Sequence, residues 1–194
     1  METKIIAIVG AGEMGRRIAR AAALAGFRTI LEDISPPALE QGIAWIAGAL
    51  GEEVSLGKIV TAARDAALAN LSTANSAEDV SREANLIIET VSDEIEMKLE
   101  LFTIFDKFAK PGAIFASTTA SLSITELAAV TFCPERCIRM RFLTDAQHAE
   151  RLELVKGRET SEETIATCRE VGRRMGKAVS VVSEEQVMSA STGD

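Results

Sequence analysis

From Lys4 the chain reads KIIAIV, an apolar and β-branched run that stops at Gly10-Ala11-Gly12-Glu13-Met14-Gly15 and gives way to RRIARAAALAG. The pattern predicts a strand, a glycine turn and a helix closed by Gly26. A second run, Arg28 to Leu31, ends in Glu32-Asp33, after which Ser35-Pro36 supplies an N-cap and a proline at the first helical position. Leu39, Ile43, Ile46 and Leu50 then share one helical face, and a further helix is expected to open at Ser55, with Leu56, Ile59, Val60, Ala63 and Ala67 on one side. Two helices therefore precede the next expected strand, Asn85 to Ile88, where a simple β-α-β repeat has one. A helix follows from about Asp93 to Ala109, striped by Ile95, Leu99, Phe102 and Phe105, and Pro111-Gly112 ends it. Short strands are expected at Ala113 to Ala116, Cys137 to Phe142, Leu152 to Val155 and Ala178 to Val182, with a capping box from Thr160 to Glu163 opening the last long helix. The alternation implies an α/β chain whose mostly parallel sheet is covered on both faces.

Length and composition narrow this picture. With 194 residues, 47% apolar and 26% charged, the chain fits one soluble globular domain. No apolar run approaches the roughly 20 residues of a membrane helix, and METKIIAIVGAG lacks the features of a signal peptide, so a cytoplasmic protein is expected. A net charge of -8 argues against a nucleic-acid partner, because such binding relies on clustered Lys and Arg. Cys133, Cys137, Cys168 and the single histidine, His148, lack metal-ligand spacing, so buried thiols and no metal site are expected.

The glycine loop carries the first chemistry. GAGEMG fits G-x-G-x-x-G: Gly10 for the tight turn, Gly12 so that backbone can approach a pyrophosphate, Gly15 for close packing of helix on strand. It is answered about 20 residues on by Asp33, placed to accept hydrogen bonds from an adenosine ribose. That context predicts a Rossmann-type, doubly wound sheet with a helical-hairpin insertion after the second strand. A carboxylate at Asp33, with no arginine following it, would repel the additional phosphate of NADP, so NAD is the expected cofactor. The blander alternatives are glycines serving only a turn, and Asp33 with Ser35 merely starting the next helix.

GAGEMGRRIA, DISPPALE, the helical pair, LIIETVSDEIEMKLELF, ASTTASLSITELA and the spacing from Met140 to VKG together resemble the amino-terminal NAD-binding domain of the 3-hydroxyacyl-CoA dehydrogenase family, over residues 3 to about 185. The resemblance implies a NAD-binding domain over residues 1–185 and a tail, 186–194, at the point where the family's C-terminal helical domain, expected to be absent here, would begin. It implies NAD contacts from the loop, including Glu13 and Met14. It further implies that Asp93 and Lys98 contact the nicotinamide side of NAD and that Thr144 stands where an asparagine does the same. The residues alone equally allow a solvated surface pair for Asp93 and Lys98. By the same resemblance the helical pair lies beside an acyl-CoA, the carboxylate that orients the family's catalytic histidine corresponds to Glu153, and a further site asparagine falls near Ser191.

Two positions depart from that pattern. The histidine that removes the hydroxyl proton corresponds to Arg141, and the catalytic serine to Ala120. Arginine stays protonated in proteins, so it cannot serve as a base near neutral pH. Strand alternation puts Arg139 and Arg141 on one face, with Glu153 as the expected ion-pair partner of Arg141. A guanidinium there would also hold a carboxylate or phosphate, and His148 stands seven residues on as a substitute base. Three functions follow: an NAD-linked 3-hydroxyacyl-CoA oxidoreductase with altered acid-base groups, a non-catalytic NAD-binding sensor or subunit, or a dehydrogenase for another anionic hydroxy or keto acid. The expected partners are an acyl-CoA or other anionic small molecule and a second copy or partner subunit.

Overall fold

The computed structural model describes residues 3–144 and 150–191. The first apolar run is strand β1 (Ile5–Val9), and Ile6, Ala7 and Ile8 are wholly buried, as a run without polar alternation requires. On one side β1 pairs with β2 (Arg28–Glu32), which pairs with β3 (Leu71–Ala74); on the other side come β4 (Leu86–Glu89), β5 (Ile114–Ser117), β6 (Cys137–Thr144), β7 (Glu150–Lys156) and β8 (Ala178–Ser183). The order β3-β2-β1-β4-β5-β6-β7-β8 makes one eight-stranded sheet. All pairs are parallel except β6 with β7.

Helices α1 (Glu13–Leu24), α2 (Pro36–Ser55), α3 (Thr61–Ala69) and α7 (Glu162–Arg174) cover one face, packing on Ile6, Ile8, Leu31, Ile88, Met140 and Leu154. Helices α4 (Ala77–Glu83), α5 (Ile95–Phe108) and α6 (Ile124–Ala128) cover the other, against Ala7, Val9, Ile87 and Phe115. The sheet is thus buried on both sides, which explains its continuous apolar strands. Under α5, the rings of Phe102, Phe105 and Phe115 lie with centroids 5.7, 5.9 and 6.4 Å apart, in tilted and edge-on arrangements. A last helix, α8 (Glu184–Ser191), follows β8 directly, so the domain boundary expected after residue 185 falls inside a helix.

Several expectations need correction. Ser55 does not open a helix: it is the last residue of α2, its hydroxyl donating to the Gly51 carbonyl, and α3 starts at Thr61 after a turn in which Leu56 and Val60 are exposed. The last long helix is capped by Ser161, whose hydroxyl accepts from Thr164 N–H, whereas Thr160 donates to the Cys137 carbonyl. Between the hairpin and β4 stand β3 and α4, which the apolar pattern missed because LSTA is held by pairing to β2 and not by its own hydrophobicity. Substituting Phe102→Ala should lower unfolding free energy by about 3 to 5 kcal/mol, whereas Phe132→Ser, at a side chain 98% exposed, should change it by less than about 0.5 kcal/mol; urea titrations of both variants provide the comparison.

Candidate functional site

The strand order reverses at β1, between β2 and β4, and the carboxyl ends of these strands open a crevice. The turn after β1 is built by steric necessity. Gly10 has φ of +106°, and a Cβ at Gly15 would lie 1.9 Å from the Gly10 carbonyl oxygen, so helix α1 approaches the turn more closely than any side chain permits. Thr90, just beyond β4, pins it, its hydroxyl donating to the Gly10 carbonyl at 2.9 Å. Nothing lies within 4 Å of where a Cβ of Gly12 would stand, and Gly12 is exposed at the start of α1. The open side of the turn is therefore a cradle in front of backbone N–H groups at a helix amino terminus, where an anionic pyrophosphate is stabilised.

Asp33 locks this turn to β2. Its Oδ2 accepts from Ala11 N–H (2.8 Å) and its Oδ1 from Ser35 N–H (2.9 Å). Each oxygen keeps a lone pair for a ligand hydroxyl. Beside it opens a cleft of about 380 Å³ with apolar walls that include Ile34, Val91, Met97 and Leu101, and with Glu32 and Glu78 among its lining. Burial, with Asp33 and Glu78 nearby, pushes the Glu32 carboxyl up to about 7. Glu13 and Met14 are the first residues of α1; Glu13 is exposed and lies 3.9 Å from Arg17, while Met14 and Thr144 line a separate small cavity between α1 and the end of β6.

Lys98 is not the solvated surface group that its spacing allowed. It is wholly buried, and its ammonium reaches Glu89 Oε1 (2.6 Å), the Val91 carbonyl (3.1 Å) and Asp93 Oδ1 (3.3 Å). Those three acceptors match the donor capacity of the ammonium. Glu89 also accepts from Ser117 Oγ (2.6 Å) and Val91 N–H (2.6 Å), so a buried acid-base pair fastens α5 to the ends of β4 and β5. Asp93 continues the chain: its Oδ2 accepts from Ala120 N–H (3.1 Å) and Ser121 Oγ (3.2 Å). Burial opposes its ionisation, but hydrogen bonds from Thr119 and Ala120 and the charge of Lys98 hold the carboxyl below the usual range. Sequence reasoning missed Glu89 and Ser117; the polar residues ending the otherwise apolar strands LIIE and IFAS were the available signal.

Arg141 lies directly opposite Glu153 in the antiparallel ladder, and its Nη1 is 2.6 Å from Glu153 Oε1, so the anticipated ion pair is formed. Arg139, two residues earlier on the same face, is 3% exposed; Nη1 donates to the Leu122 carbonyl at 3.3 Å, and Nε finds no acceptor among the described residues. Burial and the neighbouring Arg141 push its pKa down. The missed neighbour here is Glu184, which accepts from Ile124 N–H (2.7 Å) and Thr125 Oγ1 (2.6 Å). His148 lies outside the described residues, and Ser191 is the last residue of α8. The three cysteines are buried free thiols.

The mostly parallel sheet, its strand-order reversal, the glycine turn and the Asp33 carboxylate beside it together define a dinucleotide-binding domain. The chain belongs to the family described as 3-hydroxyacyl-CoA dehydrogenase, NAD binding domain, whose model matches residues 5–186. It is 38% identical to the 3-hydroxybutyryl-CoA dehydrogenase of Bradyrhizobium diazoefficiens over 92% of this chain and 60% of that protein. It is 32% identical to the fatty acid oxidation complex subunit alpha of Acinetobacter baylyi, over 92% of this chain and 25% of that one. The crystal structure of 3-hydroxybutyryl-CoA dehydrogenase from Escherichia coli superposes with a TM-score of 0.89 at 30% identity, over 94% of this chain and 39% of that one. The chain thus spans less than two thirds of the length of each of these relatives. Among the described residues, no helix is long and apolar enough to cross a membrane.

Lys98→Met strands a buried carboxylate and should cost about 3 to 5 kcal/mol in unfolding free energy, read by denaturant titration at neutral pH. Glu32 has a raised folded-state pKa, so its favourable contribution is complete below the unfolded value of about 4.5 and is lost as pH rises through about 7. Glu32→Gln should therefore match the wild type near pH 4 and exceed it above pH 8 by on the order of 2 kcal/mol, in thermal melts across that range.

Proposed function

We propose that residues 1–185 hold NAD, in preference to NADP, as the nucleotide half of an oxidoreductase of 3-hydroxyacyl-CoA metabolism, with its acid-base chemistry degraded or redirected. The cofactor part rests on the Ala11–Asp33 bond and the open face of Gly12, which fit an adenosine ribose and a pyrophosphate. Bound NAD would supply the hydride acceptor. The chain's own residues would do the holding: N–H groups of the first turn of α1 on the pyrophosphate, Asp33 on the ribose, and Asp93 and Thr144 toward the nicotinamide end. Lys98 would act there through Asp93, its three protons being already engaged.

The observation that carries the second part is the 2.6 Å contact of Arg141 with Glu153. A relay of histidine and carboxylate passes a proton; a guanidinium fixed by a carboxylate keeps every proton it has. With Ala120 in place of a hydroxyl-bearing residue, the removal of a hydroxyl proton has no carrier among the described groups. The tail from 186, an acyl-CoA as ligand, assembly with a second copy or partner subunit, and a cytoplasmic location are parts of the same reading. A second reading, an anionic hydroxy or keto acid as substrate, is favoured by Arg139, a buried guanidinium whose Nε has no acceptor among the described residues.

Isothermal titration should show NADH binding, weakened at least about 10-fold by Asp33→Ala and stronger than NADPH binding by a similar factor. Oxidation of NADH by acetoacetyl-CoA should not exceed that of Arg141→Ala or of buffer. Turnover well above both would overturn the claim of degraded chemistry, and absence of any NADH binding would overturn the claim about the cofactor.

A further inference from the structure

Glu32 is the last residue of β2, and the register that pairs it with Val9 turns its side chain toward α4 and α5, on the face that carries Ala7, Val9 and Ile87. It is 5% exposed, and among the described residues no donor reaches its carboxylate, although its backbone carbonyl is taken by Gly10 N–H (2.8 Å). The oxygens of this largely buried residue open instead onto the cleft, where they stand free to accept a donor from a ligand. The carboxylate lines the cleft beside Asp33, whose walls include Val9, Val91, Met97 and Leu101. The charged groups facing it are all acidic: Asp33 at the end of its own strand, Glu78 from α4 and Glu100 from α5, with no Lys or Arg among the lining residues. The cleft therefore refuses anions and suits a flat apolar-faced group with a hydrogen-bond donor on its edge.

In a dinucleotide whose ribose is held by Asp33, the group that reaches this cleft is the adenine. Adenine carries an exocyclic amino group, a donor, at C6. We propose that the Glu32 carboxylate accepts a hydrogen bond from that amino group and so makes the domain selective for adenine over hypoxanthine dinucleotides, a reading that rests on the NAD-binding assignment above. Hypoxanthine presents a carbonyl oxygen at the same position, which sets acceptor against acceptor and leaves the buried carboxylate unsatisfied. Asp33 is already committed to Ala11 and Ser35 and to the sugar, which leaves the base to Glu32.

The selectivity carries its own pH signature. Burial and the neighbouring carboxylates raise the Glu32 pKa to about 7, so above that range the side chain can only accept, whereas below it the protonated carboxyl can also donate and so tolerates a carbonyl oxygen. Binding of NADH and of reduced nicotinamide hypoxanthine dinucleotide is to be measured by calorimetry from pH 6 to 8.5, on the wild type and on Glu32→Gln. In the wild type NADH should bind at least about 10-fold tighter than the hypoxanthine analogue at pH 8.5, the ratio falling several-fold toward pH 6. Glu32→Gln, whose amide both donates and accepts, should bring the ratio close to one with no pH dependence. Equal binding of the two dinucleotides by the wild type at pH 8.5, or an unchanged ratio in Glu32→Gln, would refute the role of Glu32 while leaving NAD binding intact. Failure of both dinucleotides to bind would instead refute the NAD assignment itself. If the variant does not fold, the pH dependence of the wild-type ratio decides alone, and a ratio flat from pH 6 to 8.5 counts against the proposal.

Discussion

The approach of Gly15 to the Gly10 carbonyl is the contact on which the rest of the molecule's chemistry depends. It lets α1 start immediately beyond β1 and leaves the face of Gly12 open at the strand-order reversal. Any side chain at Gly15 would push the helix outward and tilt its first N–H groups away from the crevice. Asp33 then ties the turn to β2 through Ala11, so one carboxylate serves both the fold and the expected ribose contact. Fold and expected binding are coupled here because the same carboxylate and the same missing Cβ atoms serve both.

A second, independent fastening lies on the other side of β1. Glu89 and Lys98 are wholly buried, and with Ser117 and Asp93 they form a hydrogen-bonded line from β5 through β4 to the start of α5 and on to the backbone at Ala120. A pair of this kind adds little net stability when complete but punishes loss of either partner. Its value lies in position: it holds the loop carrying Asp93 against the loop carrying Ala120. The ion pair of Arg141 with Glu153 has no such geometric duty, since the β6–β7 ladder already fixes both strands. That makes it a feature of local electrostatics, a permanently charged guanidinium held by a carboxylate.

How much of this was legible beforehand depends on the range of the forces involved. The strands KIIAIV and LIIE, the glycine turn and the α5 stripe were readable because local patterning and burial agree there. β3 and α4 were not, because LSTA carries little hydrophobicity and becomes a strand only when β2 offers its free edge. The cap at Ser161 was displaced by one residue from the reading at Thr160 because the Thr160 hydroxyl is drawn to the Cys137 carbonyl, a partner far away in sequence. Ser55 was misassigned for a related reason: its hydroxyl bonds back to Gly51 within α2 instead of forward to a new helix.

The order of residues by itself determined the glycine turn, the acidic residue that answers it and the apolar strands of a sheet buried on both faces, because each is a matter of residue identity at short spacing. Tertiary structure alone decided that Lys98 is buried and saturated, that the Glu32 carboxylate lines a cleft and, among the described residues, accepts no hydrogen bond, and that Arg139 is sequestered beside a paired Arg141. Those outcomes depend on which charges the folded chain brings together away from water, and burial changes the energy of a charge far more than any neighbour in sequence can.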